Sequence, residues 1–307
     1  MKSKKIVATL SVTIVLLFLV GCNIMNGWSI NVKKGDKYNL HEVVDQKVAT
    51  TLHGLNVNTE QVMDMNLTME VQDVDKDKNI TLSYKYDSIK VSTEDIVSKK
   101  EYDSKNPDSN NPLADTYGAV VGKGFTVKVS KKGQVLETKG ADELLNSIFS
   151  KLSGDNQTDA VKNTLKQNFG EDAIKSMVSQ SINYQPSNRV KVNDTWENKY
   201  NIMALYPMEA SNKFKLLSEK DELLTVDVQS TVADTKGKQV QFMATQADME
   251  LKGDCKGMIN INKKTGLMAK GDFIENMSGD MDVTLDGKNV KIPTEISTKT
   301  TYETTRK

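Results

Sequence analysis

Strict alternation of apolar and polar residues is the feature that most constrains how this chain folds. Residues 80–86, 125–129 and 224–228 place an apolar or aromatic side chain at every second position. A period of two is typical of a strand with one buried and one solvated face, the usual arrangement in antiparallel sheets. Turn-forming sequences separate the runs, at residues 75–79, 131–133, 263–266 and 286–287. The pattern predicts a mainly antiparallel β-sheet.

Residues 141–186 follow a different period. Leu144, Leu145, Ile148 and Leu152 recur at the three- and four-residue spacing of an amphipathic helix. Residues 157–182 repeat this spacing, and Pro186 then ends the helical stretch. The spacing predicts two or three helices across 141–182.

The regions on either side of this helical segment resemble each other. Residues 32–38 match 190–196, residues 77–82 match 221–226, and residues 127–135 match 259–267, in the same order. We therefore expect an α+β fold, with a mainly antiparallel, curved β-sheet built from two similar β-rich halves (32–140 and 187–307) and a central helical segment (141–186). Only about forty helical residues are available to cover the apolar face of such a sheet, which favours a curved one.

The N-terminus has the sequence pattern of a secretion signal. Lys2, Lys4 and Lys5 precede a charge-free, mostly aliphatic run at residues 6–20, and a small residue, Gly21, follows. This order is typical of a signal peptide, and the run is shorter than the ~20 residues of a membrane-spanning helix. Leu19, Val20, Gly21 and Cys22 resemble the lipobox of bacterial lipoproteins.

The lipobox resemblance implies that residues 1–21 are removed and that Cys22 becomes the lipidated first residue of a tether at 22–31. Two acyl chains on Cys22 would anchor the protein stably. The implied location is the extracytoplasmic face of the cell membrane, and the richness in Asn and Lys with only five prolines suggests a Gram-positive source. The alternative is an uncleaved N-terminal anchor helix with an incidental cysteine.

The charge balance and the small number of histidines and cysteines argue against several function classes. The 41 basic and 41 acidic residues balance, and removing residues 1–21 takes away three lysines, leaving 38 against 41. A slightly acidic chain is a poor candidate for nucleic-acid binding. It has two histidines and, after Cys22, one cysteine, Cys255, which we expect to be a half-buried structural residue. We expect no enzyme activity, no catalytic residues and no cofactor.

Two acidic clusters are candidate metal-binding sites. Residues 73–78 resemble the start of a calcium loop but lack its later glycine and glutamate, which favours a solvated turn. Asp280, Asp282 and Asp286 could gather a cation weakly, although Asp286-Gly287 is also a common hairpin turn. We therefore predict no metal site and leave a weak calcium site at these three residues open.

The layout as a whole resembles a broad family of uncharacterised bacterial lipoproteins, a domain-of-unknown-function group. The resemblance rests on the lipobox, the two β-rich halves and the Gly/Asn-Asp-x-aromatic openings at residues 35–38 and 193–196. More distantly, a curved sheet with helices on one side is similar to the Lol-type and mycobacterial lipid-binding lipoproteins, which hold acyl chains in a hollow. This likeness implies a lipid or other apolar ligand.

We therefore expect a membrane-anchored cell-envelope lipoprotein that binds a lipid or apolar ligand. The fourteen methionines would either give such a hollow a flexible lining or fill a solid core. The alternative is a surface structural or protein-interaction module without a small ligand, with the polar loop at 101–116 as its contact region. The sequence identifies no ligand-binding residue, protein partner or oligomeric state.

Overall fold

The computed structural model describes residues 28–307, apart from 29, 53–54, 109–110, 112, 131–134, 153–161, 163–164, 167–168, 183, 185, 187, 204–206, 235–238, 243–244 and 286–287. The predicted signal peptide, the lipobox and Cys22 lie outside the described residues, as do His53 and Asp286.

Strands dominate the described chain, as the alternation predicts. Their bounds are β1 (Lys37–Leu52), β2 (Leu55–Val74), β3 (Ile80–Glu94), β4 (Lys99–Asp103), β5 (Gly124–Val129), β6 (Val135–Lys139), β7 (Thr195–Met203), β8 (Pro207–Lys220), β9 (Leu223–Asp234), β10 (Gln239–Phe242), β11 (Thr245–Asn262), β12 (Met268–Leu285) and β13 (Lys288–Arg306). The strand β4 occupies the first residues of the segment 101–116 that we expected to be a loop.

All thirteen strands belong to one sheet with antiparallel pairing. Its order is β6-β5-β3-β2-β1-β13-β12-β11-β9-β8-β7, with β4 beside β3 and β10 beside β11. The first and last strands pair at the centre, from Tyr38 opposite Arg306 to Thr50 opposite Thr294. The expectation of an open, curved, mainly antiparallel sheet is confirmed.

In the described part of the chain, two α-helices and a π-helical turn pack on one end of the sheet. The helix α1 (Ala141–Phe149) and the helix α2 (Glu171–Ile182) lie in the predicted helical segment, and the π-helical turn is Ala114–Gly118. The amphipathic face of α1 buries Leu144, Leu145 and Ile148 in a core that strands of both halves share, and α2 adds Ile174 and Val178 to the same core. The helix α2 packs against both β6 and β7, the two edge strands of the sheet.

The predicted internal repeat has a structural counterpart in the turns that open the two halves. Before β1, the Lys33 N–H donates to Asp36 Oδ2 over 2.8 Å; before β7, the Lys191 N–H donates to Asp194 Oδ2 over 2.7 Å. The third residue of each turn has a positive φ, 87° at Gly35 and 76° at Asn193. Each turn then bonds to the second strand of its own half, at Val71 and at Leu216.

The pairing registers repeat as well. An irregularity between Val71 and Asp73 in the β2–β3 pair recurs between Leu216 and Ser218 in the β8–β9 pair. The pairing of β3 with β5 is equivalent to that of β9 with β11, since residues 80 and 129 are opposite each other just as residues 224 and 261 are. Strands β1, β2, β3, β5 and β6 thus correspond to β7, β8, β9, β11 and β12.

The two halves adjoin each other at two junctions, one between β12 and β1 and one between the edge strands β6 and β7. The correspondence shows that these two junctions are closed differently. At one junction, β13 lies between β12 and β1 and pairs with both. At the equivalent junction, between β6 and β7, the helix α2 contacts both edges. A helix with its side chains is about 10 Å wide, close to the two inter-strand spacings of about 4.8 Å that a single strand fills. The helix therefore takes the place of the missing strand.

Inward-facing glycines allow the central strands to bend. At Gly279 in β12, an added Cβ would lie 1.8 Å from the carbonyl oxygen of Glu250 on β11. At Gly253 in β11, it would lie 2.1 Å from the carbonyl oxygen of Asn276. Glycines at such positions mark close backbone approach and curvature in a sheet.

Replacing Gly279 by alanine tests this role. Because the new methyl group would collide with the backbone of β11, we expect G279A to lower the free energy of unfolding by about 3 kcal/mol. As a control, G122A adds a methyl group where nothing lies within 4 Å, so only its positive φ of 77° matters, at about 1 kcal/mol. Equal losses for the two variants in urea denaturation would contradict the proposed role.

Candidate functional site

A row of polar side chains crosses the inner face of the sheet at one register. It passes through nine adjacent strands, from β3 to β7 along the sheet. Each member is the register partner of the next, which makes the row continuous. The members of this polar row, in order, are Thr93, Gln61, Gln46, Thr298, Glu275, Cys255, Ser230, Asn212 and Asn198.

The polar row separates two apolar cores on the same face. On one side lies the core that contains the helices, whose nearest strand members include Met63, Phe273, Val228 and Phe214. On the other side lies a second core, which we call the methionine-rich core. Its buried members are Met208, Ala210, Val232, Ala247, Leu251, Met277, Met281, Val283, Ile292 and Ile296. These described members of the second core all belong to strands.

Hydrogen bonds connect the side chains near both ends of the row. Near β3, Gln61 Nε2 donates to Thr93 Oγ1 over 3.2 Å and to the Tyr117 hydroxyl over 3.1 Å. At β7, Asn212 Nδ2 donates to Asn198 Oδ1 over 3.1 Å, and the Ser230 hydroxyl donates to Asn212 Oδ1 over 2.5 Å. These bonds fix the orientation of the polar side chains on either side of Glu275.

Glu275, at the centre of the row, has a different environment. Its side chain is almost completely buried, with 2% of the residue exposed, and within the described chain neither carboxyl oxygen has a hydrogen-bond partner. Burial raises the pKa of Glu275 to about 8. The carboxyl group is therefore mostly protonated at neutral pH, and it can both donate and accept a hydrogen bond.

Cys255, the register partner of Glu275, does not have the properties of a reactive thiol. It is buried, so our expectation of a half-buried side chain was wrong, because Cys255 lies on the inner face of the sheet between the two apolar cores. Burial raises the pKa of the thiol, and the nearby carboxyl groups of Glu275 and Asp254 raise it further. A thiol that resists ionisation is a poor nucleophile.

A second buried acid, Glu42, lies in the helix-containing part of the interior. It is fully buried on β1, and in the described structure neither of its carboxyl oxygens has a hydrogen-bond partner. Burial raises the pKa of Glu42 to about 8. Burial raises the pKa of Tyr86, and the nearby carboxyl group of Glu42 raises it further. Among the described residues, Glu42 and Glu275 are thus buried acids that are mostly protonated at neutral pH.

The outer face carries a groove of about 790 Å³ that crosses six strands. Each of these strands contributes three successive residues to it, such as Asn276, Met277 and Ser278 on β12. The middle residue faces the interior, so its backbone forms the floor, and the two outward side chains form the walls. Amides, hydroxyls and charged groups, including the Lys47–Glu60 ion pair at 2.8 Å, line these walls.

The described candidate metal ligands have other partners, and Asp286 lies outside the described residues. Asp280 forms an ion pair with Lys291 over 2.9 Å. Asp75 accepts hydrogen bonds within its turn and pairs with Lys128, also over 2.9 Å. His41 is part-exposed and contacts Asp64 over 3.0 Å. In the described ranges, no group of three or more His, Cys, Asp or Glu residues is placed to hold a metal ion.

The polar row was not predicted from the sequence. Its members do carry a signal, since Gln46 and Glu275 occupy the phase of the alternation that otherwise faces the core. A single polar residue in that phase is uninformative by itself. The row appears only when the register of nine strands is known, and that register depends on long-range pairing.

The fold and the row define a class of protein, one with a curved antiparallel sheet whose apolar interior is crossed by a polar band. The chain belongs to a family of unknown function, DUF6263, whose model matches residues 77–268. This match runs from the β2–β3 turn to the start of β12 and includes both helices. No curated protein matches the chain in sequence.

Solved structures resemble the chain only weakly. A structure titled for lipid–protein interactions in lipovitellin has 9% identity and a TM-score of 0.49 over 89% of this chain and 25% of its own. The β-barrel-like DUF1849 protein of Brucella abortus has 9% identity and a TM-score of 0.21, with 90% and 99% covered. The NalP translocator domain of Neisseria meningitidis has 4% identity and a TM-score of 0.20, with 89% and 90% covered.

The chain thus spans about a quarter of the length of the lipovitellin chain. In the described part of this chain, no helix has the length and apolar character needed to cross a membrane.

The raised pKa of Glu275 predicts how stability depends on pH. Between the ordinary value of about 4.5 and the native value of about 8, the folded protein keeps a proton that the unfolded chain releases. The stabilisation is complete below pH 4.5 and disappears as pH rises to 8, at up to about 1.4 kcal/mol per pH unit. Thermal and urea unfolding from pH 5 to 8 would measure this slope together with the contribution of Glu42, whose pKa is raised in the same way.

Substitution of Glu275 assigns the slope to this residue. The neutral variant E275Q should unfold with a shallower pH dependence than the wild type and be the more stable protein at pH 8. The matched control is E295Q, since Glu295 is exposed on the neighbouring strand β13. An unchanged slope in E275Q, or an equal change in E295Q, would contradict the assignment.

Proposed function

We propose that the protein is a membrane-anchored cell-envelope lipoprotein whose curved sheet binds a lipid or another apolar ligand. In this proposal, the apolar part of the ligand lies against the methionine-rich core and its polar group bonds to Glu275. The observation that carries the proposal is the fully buried Glu275 carboxyl group, which the described chain leaves without a hydrogen-bond partner.

The energetic argument starts from the cost of an unsatisfied group. A buried polar group without a partner destabilises a protein by about 1–3 kcal/mol, so native proteins rarely retain one without a compensating role. A ligand with one polar group and an apolar body would satisfy Glu275 and pack its apolar part among the buried side chains of the methionine-rich core. Because Glu275 is mostly neutral, a hydroxyl, ester or amide group suits it.

The composition of the second core supports an adaptable site. Met208, Met277 and Met281 are buried members of this core, and Met249 packs against it. Methionine side chains are flexible and polarisable, so they adjust to ligands of different shapes. The helix-containing core also includes methionines, Met63, Met65, Met69 and Met268, but there α1 and α2 already cover the sheet.

Membrane anchoring rests on the N-terminal sequence. Cys22 lies six residues before Trp28, the first described residue. Six extended residues span at most about 20 Å. Lipidation of Cys22 would therefore hold the sheet close to the membrane surface, and the protein would act at the extracytoplasmic face.

Mass spectrometry of the full chain, extracted from membranes in mild detergent, tests ligand binding. Denaturing spectra report covalent lipid on Cys22, and native spectra report the covalent and the bound mass together. We expect the native mass to exceed the denaturing mass by that of a lipid-like molecule. In E275L, which cannot bond to the polar group of the ligand, the occupancy should fall, and in the control E295L it should not. Equal native and denaturing masses, with an interior filled by side chains, would contradict the proposal.

A separate variant tests the anchor. C22A removes the only thiol that the lipobox offers, so the protein should move from the membrane fraction to the soluble extracytoplasmic fraction. C255A is the matched control and should stay in the membrane fraction, because Cys255 lies inside the sheet. Retention of C22A in the membrane would support the uncleaved anchor helix instead.

The outer groove favours a second candidate function, a protein-interaction module without a small ligand. Its polar walls cross six strands and contain exposed Lys252, Asp254 and Glu295. A photo-crosslinking residue at position 278, in the groove, should capture a specific protein in cells, whereas one at position 223, exposed on β9 outside the groove, should not. Equal labelling at both positions would rule this function out.

A further inference from the structure

We infer that the ligand reaches the interior through the seam between β6 and β7, by displacement of the helix α2 that closes it. The seam is defined as the two edge strands β6 and β7 together with α2. This inference rests on the proposed ligand binding and adds the route of uptake.

The first argument concerns how the walls of the interior are held together. From β6 through β13 to β7, each strand of the sheet is joined to the next by a ladder of backbone hydrogen bonds. Opening such a wall would break many bonds at once. At the seam, a helix whose amides bond within its own turns packs against the strands through side chains. Ile174 and Val178 are its buried members in the shared core.

The second argument comes from the internal repeat. The junction between β12 and β1 is closed by β13, which pairs with both neighbours along most of its length. The equivalent junction between β6 and β7 has a helix in place of the strand. The duplicated fold thus has one junction that is permanently closed and one that can open without breaking a strand ladder.

The third argument is the path of the polar row. The row ends on the edge strand β7 at Asn198, which is the register partner of Asn212. Asn198 Nδ2 is buried without a hydrogen-bond acceptor in the described structure, and on the opposite edge strand, β6, Thr138 Oγ1 is also buried without a partner. From Asn198 the row crosses four inter-strand spacings to Glu275, about 19 Å. The polar group of a ligand that enters at the seam would therefore pass along the polar row from Asn198 to Glu275.

The fourth argument places the seam near the membrane anchor. The ring of Trp28 contacts that of Trp196 on β7 edge-to-face, with centroids 5.9 Å apart. Trp196 also stacks on Phe214, and its Nε1–H donates to the Tyr184 carbonyl over 2.7 Å, just after α2. The chain that leads from Cys22 thus meets the sheet beside α2, so a lipidated Cys22 would hold the seam on the membrane side.

The test measures the rate of uptake separately from affinity. The chain from residue 23 onward keeps every residue that the structure describes, and N-phenyl-1-naphthylamine serves as a fluorescent apolar probe. V178A loosens α2, and W196F removes the bond to Tyr184 while keeping an aromatic ring on Phe214. V226A is the matched control, because Val178 and Val226 are both 0% exposed in the same core.

Stopped-flow fluorescence should show several-fold faster probe uptake in V178A and W196F than in the wild type, with equilibrium affinity nearly unchanged. V226A should load at the wild-type rate, and hydrogen exchange should increase in α2 only for the two seam variants. Equal uptake rates in all four folded proteins would overturn the seam route while leaving ligand binding intact. Absence of probe binding at equilibrium in all of them would overturn the proposed function, and the inference with it.

Discussion

The backbone ladder between β1 and β13 is the interaction on which the rest of the structure depends. It joins residues more than 240 positions apart in sequence, from Tyr38 opposite Arg306 to Thr50 opposite Thr294. Without it, the two halves would be separate sheets with two further exposed edges. With it, their inner faces form one continuous surface, and the polar row can pass from Thr93 in the first half to Asn198 in the second.

The buried carboxyl groups reduce the stability of this arrangement. Glu42 and Glu275 could be replaced by apolar side chains at a gain in stability, because neither has a hydrogen-bond partner among the described residues. Glu275 differs from Glu42 in its position, since it lies in a polar row that reaches the edge of the sheet. Protein stability is commonly reduced at sites that bind ligands, and Glu275 has the position and the unmet bonding capacity of such a site.

The architecture was more accessible from the sequence than the candidate site. Period-two runs such as residues 80–86 identify strands locally, and the matched turns at Asp36 and Asp194 reveal the repeat, because these features depend on neighbouring residues alone. The polar row depends on the register of nine strands, which pairing between distant residues determines. The place of α2 between the two edges is likewise a tertiary feature that its own amphipathic pattern does not specify.

The central claim is that the polar group of a bound ligand meets Glu275 inside the curved sheet. A crystal structure of the full chain extracted from membranes without delipidation tests it most directly. We predict elongated density along the methionine-rich core, with a polar atom within hydrogen-bonding distance of the Glu275 carboxyl group. An interior packed solid by this chain's own side chains, with Glu275 bonded to one of them or to isolated water, would contradict the claim.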